Sequence, residues 1–211
     1  MKRSVAIAWL IATIACSRPA EPPPTIATAV QAAAAPAAAP ASGTVTGRGP
    51  APDSSGAVVV VLEPTIARVF PAQSEKPMMD QAGLTFGPEL LLVRTGEPVV
   101  FHNSDDTLHN VHVSHEETKT PAFNVAIPTG ASYEYTFERD GFYRVGCDIH
   151  PEMAASVFAA ASPYTALAGD DGRFTFTDVP VGAWTVTVYA GGKQLRKAID
   201  VTGGVTSIAI P

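Results

Sequence analysis

Tyr133-Glu134-Tyr135-Thr136-Phe137-Glu138-Arg139-Asp140-Gly141-Phe142-Tyr143-Arg144-Val145-Gly146-Cys147-Asp148-Ile149-His150-Pro151-Glu152-Met153 is the stretch on which the fold turns. Its first five residues alternate apolar and polar, the period of a half-buried strand. Arg139-Asp140-Gly141 is turn chemistry. From Phe142 the alternation resumes, with Tyr143, Val145 and Cys147 on one face. If Val145 enters a core, the Cys147 thiol enters it too, at the end of the strand where the chain becomes a loop. A buried thiolate needs a compensating charge.

Outward from this stretch the pattern stays β. Val99-Val100-Phe101 and Ala57-Val58-Val59-Val60-Val61-Leu62 are short apolar runs that fit buried strands. Thr95-Gly96-Glu97-Pro98, Pro128-Thr129-Gly130, Gly169-Asp170-Asp171-Gly172 and Gly191-Gly192 are turn signals between them. No sustained 3.6-residue apolar period follows residue 42. The fold class is therefore all-β, a sandwich or barrel of short strands. Residues 67–81, with Pro71 and Pro77 and no clear period, are expected to be a loop.

The N-terminus looks different. Lys2 and Arg3 precede an apolar run from Val5 to Ala15, too short for a bilayer core that needs about 20 residues, so residues 1–16 are expected to be an export signal. Thr13-Ile14-Ala15-Cys16 resembles a bacterial lipobox, departing from it at Thr13, and implies acylation of Cys16 and a membrane anchor. A plain secretory signal is the alternative. Residues 17–42 are dominated by Ala and Pro and have little to bury, which marks a disordered tether. At roughly 3.1 Å per residue it could reach about 80 Å.

The chain has two cysteines. Cys16 lies in the segment that is cleaved or acylated, a poor disulfide partner for Cys147. A lone thiol in an oxidising compartment points to a metal ligand. The net charge of −6 argues against nucleic acid as a partner.

Cys147, His150 and Met153, with His109 upstream, are a thiolate, two imidazoles and a thioether from two loops of a β domain. That is the donor set of a blue-copper electron-transfer site, where soft sulfur favours Cu(I) and imidazole suits both oxidation states. Leu84-Thr85-Phe86-Gly87-Pro88-Glu89, Gly96-Glu97-Pro98-Val99-Val100-Phe101-His102-Asn103 and His109-Asn110-Val111 resemble the first ligand region of small cupredoxins such as plastocyanin, amicyanin and pseudoazurin. Tyr135 to Tyr143 with the Cys147 loop resembles the second, in the short Cys-x2-His-x2-Met form. The resemblance covers roughly residues 82–160. It implies a Greek-key β-sandwich and one type 1 copper ion. His109, Cys147 and His150 would form the trigonal plane, Met153 would be the axial ligand, and Asn110 would brace the loops with its backbone N–H directed at the sulfur. Cupredoxins often carry an aromatic residue before the Cys, as a second electron port. Here Gly146 stands there, which makes His150 the preferred exit.

Other readings attach to the neighbours. His112 and His115 follow His109 at three-residue steps, which on a strand face opposite sides, so a second metal site is disfavoured. His102 is expected at solvent or in a loop. Asp105, Asp106, Asp148 and Glu152, if exposed, would form an acidic rim suited to a basic redox partner.

Asp170-Asp171-Gly172-Arg173-Phe174-Thr175-Phe176 and Trp184-Thr185-Val186-Thr187-Val188-Tyr189 resemble a carboxypeptidase regulatory-like (transthyretin-like) β-sandwich. Gly43-Thr44-Val45-Thr46-Gly47 and the strand after Ala57 look like its first strands. The expected organisation is residues 43–66 plus 163–211 as a second, discontinuous small sandwich around a cupredoxin domain at 67–162. The competing assignment gives the Val58–Leu62 strand to the cupredoxin. The arrangement also resembles bacterial proteins labelled as methylamine-utilisation type. The functional expectation is an exported, lipid-anchored carrier of single electrons between redox proteins, in the periplasm or cell envelope. It is not expected to be an enzyme and should have no small-molecule substrate. The alternative is a periplasmic copper-storage or delivery protein.

Overall fold

The structure, a computed structural model, describes residues 41–211 apart from residue 55. The expected export signal, Cys16 and the tether up to residue 40 lie outside the described residues. Among those described, all regular structure is strand. β1 (Ser42–Arg48) and β2 (Val59–Pro64) come first. Then follow β3 (Met78–Ala82), β4 (Thr85–Gly87), β5 (Leu90–Arg94), β6 (Pro98–Asn103), β7 (His109–His115), β8 (Pro121–Ile127), β9 (Ser132–Thr136), β10 (Gly141–Gly146) and β11 (Ala154–Ala160). The last five are β12 (Thr165–Leu167), β13 (Arg173–Pro180), β14 (Gly182–Ala190), β15 (Lys193–Val201) and β16 (Val205–Ala209).

Two sandwiches result. In the first, the sheet β4-β3-β6-β9 faces the sheet β5-β11-β10-β7-β8. Met79, Phe101, Val111, Val113, Phe137, Val145 and Val157 meet between them in one core. Alternation makes this possible: along β10, Tyr143 and Val145 turn in while Arg144 turns out. β3 runs parallel to β6 and β5 parallel to β11, pairings that no tight hairpin can make. β3 is a correction to the expected loop at 67–81. Five residues beside Pro77, with a polar Gln81 at a fully buried position, give no readable period. Pairing with β4 and β6 supplies the strand instead.

In the second sandwich the sheets are β13-β1-β16 and β12-β2-β14-β15. β1 and β2 precede the first sandwich in the chain yet pair with strands that follow it: β1 with β13 and β16, β2 with β12 and β14. Val45, Leu62, Phe174, Phe176, Val186 and the fully buried Trp184 form its core. The Trp184 indole N–H donates to the Pro180 carbonyl at 2.8 Å, so the ring is buried with its one polar atom satisfied.

A third apolar cluster joins the two. Val59 and Val61 of β2 pack with Phe158 and Ala160 of β11, supported by Leu90, Leu92, Phe142 and Tyr189. Between β2 and β3 the chain is pinned across the same junction. The Arg68 guanidinium lies 5.5 Å over the Trp184 ring, and Arg94 of β5 lies 5.8 Å over Phe70.

Candidate metal centre

β7 opens with His109 and β10 ends on Gly146, one residue before Cys147. These two strands are neighbours in the sheet, with His112 opposite Gly146. Both therefore deliver a donor to the same end of the sandwich. The loop from Cys147 to Met153 then turns back into β11. It closes on itself: Met153 N–H donates to the His150 carbonyl at 3.0 Å, and Cys147 N–H to the Met153 carbonyl at 3.3 Å.

The loop gathers three donor atoms. His109 Nδ1 and His150 Nδ1 are 3.0 Å apart, and Cys147 Sγ lies 3.9 Å from the first and 3.8 Å from the second. A triangle with these sides has a centre about 2.1 Å from each corner, within the roughly 2.0–2.3 Å of a first-row metal bond to imidazole or thiolate. His109 is fully buried and Cys147 nearly so, whereas His150 is partly exposed. Met153 is buried in the same core as Cys147. Two nitrogens and one sulfur within 3.0 to 3.9 Å of one another fit a copper ion by the chemistry of the donors and by their separations.

The surroundings hold this arrangement in place. The Asn110 side-chain carbonyl accepts from the Asp148 N–H at 2.7 Å and the Ile149 N–H at 3.3 Å, and lies 3.3 Å from Cys147 Sγ. Asn110 thus braces the loop, but it meets the sulfur through its side-chain amide oxygen, where the resemblance implied the backbone N–H. The Asn110 amide N–H2 donates in turn to Asp148 Oδ2 at 3.0 Å and Asn124 Oδ1 at 2.8 Å. Asp148 also accepts from Asn124 Nδ2 and from the His112 ring. These bonds, that of His112 foremost, hold the Asp148 carboxyl below the usual carboxylate range.

On the far side of the site, His109 Nε2 lies 2.8 Å from Asp105 Oδ2. The Asp105 carboxylate also accepts from the N–H groups of Gly83 and Leu84, at 2.6 and 3.0 Å. The Leu84 N–H, then His109 and the Gly83 N–H, hold this carboxyl too below its ordinary value.

The expected acidic rim is therefore smaller than four residues. Asp105 turns inward with a side chain 15% exposed, and Asp148 is exposed but engaged with His112, Asn124 and Asn110. The sequence reading missed the inward roles of both. An Asp four residues before the ligand His was the signal for the first. His112 and His115 separate as strand parity requires: His112 faces outward to Asp148, while His115 is buried at the other end of β7 against Tyr143. His102 pairs across strands with the Ser132 hydroxyl at 2.8 Å.

Where an aromatic residue could precede the Cys there is an open groove of about 250 Å³, lined by His112, Arg144, Gly146, Cys147, Asp148 and Met153 among others. A Cβ on Gly146 would meet nothing closer than the Met153 carbonyl at 3.8 Å.

Residues 74–159 match the family of copper binding proteins of the plastocyanin/azurin type. This segment contains all four expected ligands and all but the last residue of the first sandwich's strands. Among solved structures, a reduced tryptophan-to-tyrosine mutant of amicyanin is similar at 23% identity, over 42% of this chain and 86% of that one, with a TM-score of 0.38. The Cu(I) form of a methionine-to-alanine mutant of amicyanin is similar at 22% identity, over 48% of this chain and 98% of that one, with a TM-score of 0.37. No curated protein matches the chain.

Proposed function

We propose that this protein is a type 1 copper protein that carries single electrons between redox proteins, with His109, Cys147 and His150 as the equatorial ligands and Met153 as the axial one. The observation that carries the reading is the convergence of His109 Nδ1, Cys147 Sγ and His150 Nδ1, 3.0 to 3.9 Å apart, inside a domain of a copper-binding family. Copper in this donor set supplies a one-electron couple. The protein's part is to keep the donors where they are in both oxidation states. The hydrogen-bonded loop, the Asn110 brace and the burial of His109 and Cys147 all favour a fixed site. A fixed, buried site suits electron transfer better than the rapid metal exchange that copper delivery requires.

His150 is the ligand that reaches the surface. Leu84, Leu108 and Ile149, each beside a ligand or beside the hydrogen-bond partner of one, are roughly half exposed and give that end of the domain an apolar rim. Asp106 and Glu152 add negative charge to it. Such a surface suits a transient partner whose own rim is basic, and association would weaken with salt. Export and acylation at Cys16 belong to the same proposal. The lipobox-like Thr13-Ile14-Ala15-Cys16 and the Ala/Pro-rich run after it support a carrier tethered at the cell envelope. The residues around β13 and β14 resemble a carboxypeptidase regulatory-like module, which we propose as the identity of the second sandwich.

The test is the visible and EPR spectrum of the protein loaded with Cu(II), beside Cys147→Ala. An intense thiolate-to-copper band, absent from the variant, is the expected result. A colourless protein that binds Cu(I) tightly would replace electron transfer with copper storage or delivery. Failure to bind copper would overturn the ligand assignment.

A further inference from the structure

We propose that Asp105 is the positioning residue of the copper ligand His109: its carboxylate fixes which ring nitrogen of His109 faces the metal and biases the site toward Cu(II). The inference rests on the copper reading above.

The geometry makes Asp105 a fixed anion. Its backbone N–H donates to the Gln81 carbonyl at 3.1 Å and to the Asn103 side-chain oxygen at 2.9 Å, which sets the turn after β6. Its carboxylate accepts from the Gly83 and Leu84 N–H groups, so both oxygens are held by the turn between β3 and β4. His109 Nε2 lies 2.8 Å from the same oxygen, Oδ2, that accepts from the Leu84 N–H. An ionised carboxylate can only accept, so the proton of this bond belongs to Nε2. His109 Nδ1 is then left with a bare lone pair, aimed where Cys147 Sγ and His150 Nδ1 also point. The tautomer of a fully buried ligand is thus dictated from outside the ligand set.

The electronic consequence follows from the charge. A carboxylate on the far nitrogen makes the imidazole a stronger donor, and an anion close to the metal favours the more positive oxidation state. Asp105 therefore lowers the reduction potential of the site. The same carboxylate ties His109 to Leu84, a residue of the exposed apolar rim.

The experiment is a redox titration of the full-length protein loaded with Cu(II) chloride, comparing the unaltered chain with Asp105→Asn. Loss of an outer ligand partner typically costs about 10–100-fold in metal affinity. A tenfold loss confined to Cu(II) raises the potential by about 59 mV for one electron, and a rise of at least that size is expected. A folded Asp105→Asn variant with the potential of the unaltered protein overturns the inference. If the variant does not fold, nitrogen NMR of the His109 ring in the unaltered Cu(I) protein decides instead. A slowly exchanging proton on Nε2 supports the proposal, and a proton on Nδ1 overturns it. Absence of the Cys147-dependent copper band from the unaltered protein would remove the copper reading itself. A normal band with an unchanged potential in Asp105→Asn removes only the role of Asp105.

Discussion

Asn110 shows how much of the site depends on one side chain that is not a ligand. Its carbonyl takes two loop N–H groups and faces the Cys147 sulfur, while its amide N–H2 reaches Asp148 and Asn124. Removing a nearly buried amide leaves these partners to find water or remain unpaired, at about 1–3 kcal/mol. Asn110→Ala should therefore destabilise the copper-free protein by about 2 kcal/mol in urea unfolding. Copper is left out because a bound metal would add its own stabilisation. A change below about 0.5 kcal/mol, the usual size for an uninvolved surface position, would mean that the Cys147–Met153 backbone bonds hold the loop unaided. The sequence made Asn110 visible only through its place after His109. That the contact runs through the side chain depends on a cross-strand arrangement with Asn124 and Asp148 that no local pattern encodes.

At the scale of the element, what was legible depended on how many faces of a strand are covered. Ser132–Thr136 alternates because one face meets the core and the other meets water, and Tyr143, Arg144 and Val145 do the same in β10, where Phe142 turns instead to the junction, so these periods can be read directly. The run Val58 to Leu62 is continuous because Val58, Val60 and Leu62 face one cluster while Val59 and Val61 face another. Val157 to Ala160 in β11 repeats this, between the first core and the junction. A reading by period identifies such a strand but not its two neighbours. β3 was illegible for the opposite reason, a short strand with a polar residue at a buried position. Two glycines in strands test how close the chains come. At Gly43 a Cβ would lie 2.0 Å from the Thr202 carbonyl oxygen and 2.7 Å from that of Gly204, beside the register shift between Gly43 and Val45. Gly43→Ala should cost about 1–3 kcal/mol by forcing backbone apart. Gly146 has open space and no left-handed backbone, so Gly146→Ala should instead add about 0.4–1 kcal/mol by restricting the unfolded chain. Thermal melts of the two copper-free variants should move in opposite directions. Equal losses would show that the groove beside Cys147 is narrower than the structure has it.

At the scale of the whole molecule, the junction decides whether the two sandwiches behave as one body. The described residues form one compact unit. Phe158 sits at the centre of the junction, 1% exposed, with its ring 4.7 Å from Phe142 and 4.9 Å from Tyr189. Its neighbours in β11, Val157 and Ala159, belong to the core of the first sandwich, so one strand serves both. β2 plays the corresponding part for the second sandwich, through Val59 and Val61. Separating the two would bare an apolar face on each, which couples their unfolding. The copper-free protein should then melt in a single calorimetric transition whose enthalpy agrees with its van't Hoff value. Fluorescence of Trp184 in a Trp9→Phe background reports the second sandwich alone, and should follow the same curve. Phe158→Ala should lower that shared midpoint, at a cost of about 3–5 kcal/mol for a buried aromatic ring. Two transitions in the unaltered protein, or a Phe158→Ala shift that leaves the Trp184 curve in place, would mean that the sandwiches are held together by the chain and not by the junction.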